Sequence, residues 1–244
     1  MKQSLDAVLQ GVEAYQDTIL AAERHIWKHP ETGYKEWKTH AYLKEQFEKL
    51  GYTVTEAGNI PGFWTDVDTG RPGPKVAVFG EMDSLIVPTH PECDPETGAV
   101  HACGHHCQCA ALLGVAAGLK APGALDGLSG SIRLIAVPAE ELIEINFRKQ
   151  LKEKGIIRYF GGKQEFMARG VLDDVSIAFI VHTSGKGVLS GGAGSAERRG
   201  KLAEKLRLPP HMSANALLEA VNLLYTKEDY ESALDAVLEE ESCV

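Results

Sequence analysis

The chain has 244 residues, of which 25 are basic and 34 acidic, giving a formal charge of −9 at neutral pH. That length can bury a sizeable core without disulfide staples or a structural metal, and the acidity opposes partnership with nucleic acid or an anionic membrane surface. The first residues, MKQSLDAVLQGVEAYQDTI, hold no signal-peptide core, no run of eighteen apolar residues occurs, and five cysteines are an odd number for a disulfide framework, so a soluble cytoplasmic protein with reduced thiols is expected.

In chain order, Leu5, Val8, Leu9, Val12, Tyr15 and Ile19 recur at helical spacing and predict an opening helix. HPETGYKEW (29 to 37) interrupts it with Pro30 and Gly33, and a second helix over Leu43, Phe47 and Leu50 stops at Gly51. YTVTE (52 to 56) reads as a strand. KVAVFGEMD (75 to 83), SIRLIAVPAEE (131 to 141) and SIAFIVHTS (176 to 184) are short apolar runs ending abruptly in ionisable residues, the pattern of central strands covered on both faces. Helical patterns over 110–119, 147–154 and 164–169 separate them. The fold expected is therefore α/β, with a mixed, largely parallel sheet flanked by helices. Beyond His182, SGKGVLSGGAGSAERRGK carries six glycines in eighteen residues and reads as a linker, followed by helical patterns over 217–224 and 230–238.

Open α/β sheets bind ligands outside the carboxyl ends of their strands. Glu81 and Asp83, then Glu140 and Glu141, then His182 all fall at such ends. HACGHHCQC (101 to 109) packs three histidines and three cysteines into nine positions. Taken alone it admits a structural zinc knot, a metal-free buried cluster, or part of an active metal site whose other ligands come from the strand ends. In the last reading Cys103 and His105, one residue apart, are the pair to aim at one centre, and His101, His106, Cys107 and Cys109 support or pack. The doublet Glu140-Glu141 is either a solvated strand end or a metal ligand beside a general base. His182 alone reads equally as a core histidine, and HPETG as a turn.

HPETGYKE, VAVFGEMDSL, GAVHACGHHCQCAALLG, VPAEE and IVHTS, in that order, resemble the aminoacylase and amidohydrolase family of metallopeptidases, peptidase family M20, and within it the branch acting on indole-acetyl-amino-acid conjugates. The resemblance implies a zinc-exopeptidase-like catalytic domain holding two divalent ions, zinc or manganese with cobalt or nickel as alternatives. It implies Cys103, His105, Glu141 and His182 as metal ligands, Glu140 as general base and Asp83 behind the metals. The substrate implied is a small-molecule amide: an N-acyl amino acid, small peptide or related conjugate. PPHMSANALLEAVNLL (209 to 224) resembles the family's lid segment, which contributes to dimer contacts; His211 takes no catalytic role in this reading.

The domain layout expected is a catalytic part over 1–186, a Gly-rich linker over 187–208 and a helical lid remnant over 209–244. No histidine follows His211, whereas the family's pattern resumes the sheet after the lid and ends with another histidine ligand. A shortened relative is therefore implied, with a homodimer or a completing chain as partner. The alternative function is a catalytically impaired relative that binds metal or a partner.

Overall fold

The computed structural model describes residues 2–183 and 203–208. The chain divides into two units, Met1–Thr183 and Ser184–Val244. The second unit contributes a helical turn at 203–205 inside the expected linker; the lid segment, with His211, and Cys243 lie outside the described residues. The division falls three residues before the boundary expected at 186/187.

The first unit opens with helices α1 (Lys2–Ala14), α2 (Gln16–Trp27) and α3 (Trp37–Lys49). The single opening helix expected from apolar spacing is thus two, broken at Tyr15, because the period of three to four continues across the break and conceals it. Strands β1 (Thr55–Glu56), β2 (Phe63–Asp68) and β3 (Lys75–Glu81) follow, then a small antiparallel pair, β4 (Leu85–Ile86) and β5 (Ala99–Val100). Helix α4 (His105–Leu119), strand β6 (Ser131–Val137), helices α5 (Ile145–Glu153) and α6 (Gly162–Ala168) and strand β7 (Ile177–Ile180) complete it. YTVTE yields only the two residues of β1, and β2 had no separate sequence expectation.

The main sheet runs β1-β2-β6-β3-β7. β3 is parallel to both neighbours, β6 and β7, while β1 and β2 add an antiparallel flank. The mixed, largely parallel sheet expected from the sequence is present as the β6-β3-β7 core. β6 is its most deeply covered strand: Leu134, Ile135, Ala136 and Val137 are fully buried. The pleat sends Leu134 and Ala136 into a core with α2, α3 and α4, and Ile135 and Val137 into a second core with Ile157, Phe166 and Val171. Each large aliphatic side chain so buried contributes about 1.5–3 kcal/mol.

α4 buries twelve of its fifteen residues, as a helix that is apolar all round must. It lies between the sheet and α1 and α2. α1 approaches it where two glycines meet: a Cβ on Gly118 would sit 2.8 Å from Val8 Cγ1, and one on Gly11 would sit 3.0 Å from Gly118 Cα.

β7 departs from its expectation. Its run SIAFIV was read as a covered central strand, but Ile177, Phe179, Ile180 and Val181 are exposed and β7 is the end strand of the sheet among the described residues. An apolar run reports strand character without reporting which strand lies at an edge. Among the described residues no helix is long and apolar enough to cross a membrane.

Candidate metal centre

Strand register sets the site. Glu81 of β3 pairs with Val137 of β6, and Phe79 of β3 with Ile180 of β7. Asp83, Glu140, Glu141 and His182 therefore emerge at one edge, the carboxyl end of three parallel strands. α4 begins at the same edge, at His105 rather than at 110 where its helical pattern was expected to start, so the Cys/His cluster is part loop and part helix.

His105, the first residue of α4, is fully buried. Its Nδ1 lies 2.8 Å from the Asp83 carbonyl and 3.2 Å from Asp83 Oδ1, which holds the ring and leaves Nε2 aimed inward. Around Nε2 stand Glu81 Oε2 at 3.1 Å, Glu140 Oε2 at 4.0 Å and Glu141 Oε1 at 4.0 Å. Cys103 Sγ lies 3.3 Å from His182 Nε2. Cys103, His105 and His182 each offer one donor atom, all within 4.8 Å of one another, and Glu81, His105 and Glu140 form a second such group. His182 is exposed, which removes its reading as a core histidine.

Gly104 closes this arrangement. It has φ +96°, and a Cβ there would lie 2.2 Å from Thr183 Oγ1, whose hydroxyl donates to the Cys103 carbonyl. Only glycine lets the Cys103 turn meet the chain after β7.

Behind these donor atoms stands a set of supports, of which only Asp83 had an earlier assignment. Ala139, the residue before the Glu140-Glu141 doublet, has φ +55°, a left-handed conformation that costs a non-glycine residue about 1–3 kcal/mol. Its N–H donates to the fully buried Glu36 carboxyl at 2.7 Å, and its carbonyl accepts from Gly162 at 3.0 Å. The Glu141 N–H donates to Asp83 Oδ2 at 2.8 Å, and the Glu141 carbonyl accepts from the buried guanidinium of Arg148. HPETGYKE is more than the turn it was read as. Gly33 packs against Ala139 and Arg148, the Glu31 carbonyl receives the Ser84 N–H at 2.8 Å, and the Glu31 carboxylate caps the start of α3. Glu81 itself accepts from Gln108 Nε2 at 2.9 Å and from Lys163.

Carboxylates dominate the field at this edge. Burial pushes the Cys103 thiol up, and the neighbouring carboxylates of Glu141, Glu140 and Glu81 add to that, to about 12. Burial opposes charge on His105, yet Asp83 and Glu81 outweigh it and raise the imidazole to about 10. Burial also opposes the Glu81 charge, but His105 and Lys163 bring that carboxyl down to about 2. Glu140 is raised by burial and by the Glu81 charge. His105 Nε2 and Asp83 Oδ1 are buried without a well-aligned hydrogen bond. Sulfur, imidazole and carboxylate donors around unsatisfied atoms fit a divalent transition ion.

The remaining cluster residues divide. Cys109 is buried and its thiol donates to the Glu81 carbonyl at 2.9 Å, and His101 is buried. His106 and Cys107 face the other way, with Glu23, and His106 lies edge-on to Trp27. The four described cysteines are free thiols.

The profile of Peptidase family M20/M25/M40 matches residues 77–237. This chain belongs to that family. It is 33% identical over 184 residues to thermostable carboxypeptidase 1 of Saccharolobus solfataricus, covering 74% of this chain and 42% of the relative. It is 30% identical over 171 residues to IAA-amino acid hydrolase ILR1-like 4 of Arabidopsis thaliana, covering 69% and 34%. The fold resembles the crystal structure of the Bacillus subtilis YXEP protein, a dinuclear metal binding peptidase from the M20 family, with TM-score 0.58 and 23% identity over 71% of this chain and 45% of that one. The M20 chain described here thus spans under half the length of these relatives.

Proposed function

We propose that this M20 chain is a metal-dependent amidohydrolase that cleaves the amide bond of N-acyl amino acids, small peptides or related conjugates. The observation that carries the reading is the convergence of Cys103, His105 and His182 donor atoms within 4.8 Å, beside the Glu140-Glu141 pair. Cys103, His105, His182 and Glu141 would hold two divalent ions, zinc or manganese with cobalt or nickel as alternatives, with Asp83 orienting His105. A bound divalent ion supplies Lewis acidity toward a carbonyl oxygen and acidifies water.

Glu140 is the residue placed to move the proton. Its half-exposed carboxylate borders His105, and burial together with Glu81 makes it more basic than an ordinary glutamate. It takes a proton from the attacking water as the new C–O bond forms at the amide carbon, then gives that proton to the departing nitrogen as the C–N bond breaks. Glu140 and Glu141 keep their places through the Glu36 contact to the Ala139 N–H and the Asp83 and Arg148 contacts to the Glu141 backbone.

A second reading, a metal- or partner-binding relative without turnover, is favoured by the exposed apolar side chains of β7. Release of amine from a panel of N-acyl amino acids by the manganese- or zinc-loaded chain, measured beside its mass in solution, separates the two. Turnover by a monomer supports the hydrolase and removes the second reading; no turnover on any conjugate removes the first. Cys103→Ser is expected to weaken metal binding at least tenfold, about 1.4 kcal/mol, read by competition with a chromophoric chelator. Unchanged affinity would take Cys103 out of the ligand set. Cytoplasmic placement belongs to the same proposal and rests on the free thiols.

A further inference from the structure

We propose that Glu23, His106 and Cys107 form an additional binding site for one thiophilic divalent ion, of the zinc and cadmium class, which ties α2 to the first turn of α4. The site shares no residue with the candidate metal centre described above and does not depend on it.

Glu23 lies on α2, while His106 and Cys107 lie in the first turn of α4. His106 Nε2 stands 3.2 Å from Glu23 Oε1 and 3.3 Å from Cys107 Sγ, and the three donor atoms all lie within 4.8 Å of one another. Zinc bonds of about 2.0–2.1 Å to nitrogen and about 2.3 Å to sulfur, opened at the tetrahedral angle, set neighbouring donors about 3.3–3.6 Å apart. The two contacts at His106 are close to that spacing. Hydrogen bonding satisfies the group less well, because Nε2 carries at most one hydrogen, which points squarely at the carboxylate or at the sulfur but not at both. A cation draws on all three atoms at once, and the thiolate and imidazole favour a soft one.

The surroundings suit a held ion. The His106 side chain is 8% exposed and that of Glu23 14%, so an ion between them would be largely shielded, while the partly exposed Cys107 leaves a way in. Trp27 covers His106 edge-on, with ring centroids 4.8 Å apart, and its own Nε1 donates to Glu92 at 2.8 Å. The Glu23 carboxylate is meanwhile paired with Arg24, its neighbour in the chain, whose side chain is 61% exposed. Such surface pairs are weak, so that guanidinium can swing into solvent and yield the carboxylate to an ion.

The test reads each cysteine separately. The full chain, reduced and stripped of metal, is treated with N-ethylmaleimide over a series of Cd(II) concentrations, and the rate of labelling at each thiol is followed by fragment mass spectrometry. A thiol bound to an ion is withdrawn from reaction, so saturating Cd(II) is expected to slow labelling of Cys107 about tenfold or more. Cys93, which belongs to none of the three donor groups, is the reference. Glu23→Ala is expected to raise the Cd(II) concentration that half-protects Cys107 about tenfold or more, about 1.4 kcal/mol, without moving that for Cys103. Labelling of Cys107 at one rate with and without Cd(II), or an unchanged half-protection concentration in Glu23→Ala, would overturn the proposal. If Glu23→Ala does not fold, His106→Gln takes its place under the same two outcomes. Protection of Cys103 reports on the metal centre alone, so its absence counts against that reading and leaves this one standing.

Discussion

Glu36 is fully buried, and its carboxyl accepts the N–H of Ala139, a residue 103 positions away in the chain and held at φ +55°. Removing that acceptor leaves a buried donor unpaired next to a strained turn. Glu36→Ala is expected to cost about 1–3 kcal/mol and to loosen metal binding through the displaced Glu140-Glu141 turn, whereas Glu36→Gln, which keeps an acceptor, should lose less. Urea unfolding with a parallel metal titration measures both. That Cys103 and His105 meet at one place was expected from the sequence because a single residue separates them, and that Glu140 and Glu141 stand beside them because the doublet ends a strand at the same edge. Glu36, Arg148 and Lys163 were not legible. Their roles are contacts to backbone or carboxylate groups brought near by folding, and neither spacing nor residue type announces such contacts.

Among the elements, α4 joins the two tasks of the fold, since its first turn bears His105 and its remainder fills the core beside the sheet. Leu112 is 1% exposed and touches the position where Gly80 of β3 lacks a side chain. Leu112→Ala is expected to destabilise the chain by about 2–5 kcal/mol, seen as a lower urea midpoint with an unchanged slope. A midpoint within experimental scatter of the wild type would show that this contact carries no stability. Helices α3 to α6 and strands β3, β6 and β7 were readable from period and punctuation, Gly51 marking the end of α3 with φ +78°. The place of β7 in the sheet was not, because Ile177 and Phe179 look in sequence like the covered residues of β6. The break between α1 and α2 escaped because it interrupts the backbone while the apolar stripe runs on.

At the scale of the whole molecule, the two ends of the parallel strands carry opposite chemistry. Toward their amino ends, Arg133 pairs with Asp66 and Asp174, and Lys75 joins the same two carboxylates. Burial works against the Asp66 charge, but hydrogen bonds from Arg133 and Lys75 outweigh it and depress its pKa; Lys75, opposed by slight burial, depresses that of Asp174. A depressed carboxyl stabilises the folded state fully above its unfolded value, 3.8 for each aspartate, and that contribution disappears as pH falls through the lower folded value. The urea midpoint is expected to fall on acidification from about pH 5 to about pH 2, and Arg133→Met should flatten that decline. An equal decline in the variant would assign the acid sensitivity elsewhere. At the opposite end of α4 from His105, the crossing of Gly11 on Gly118 lets α1 brace that helix. The crossing thus acts as a clamp on the far end of α4: a bulky side chain, a protease cut or a slipped register within α1 is expected to loosen the packing of that helix without altering any candidate donor residue.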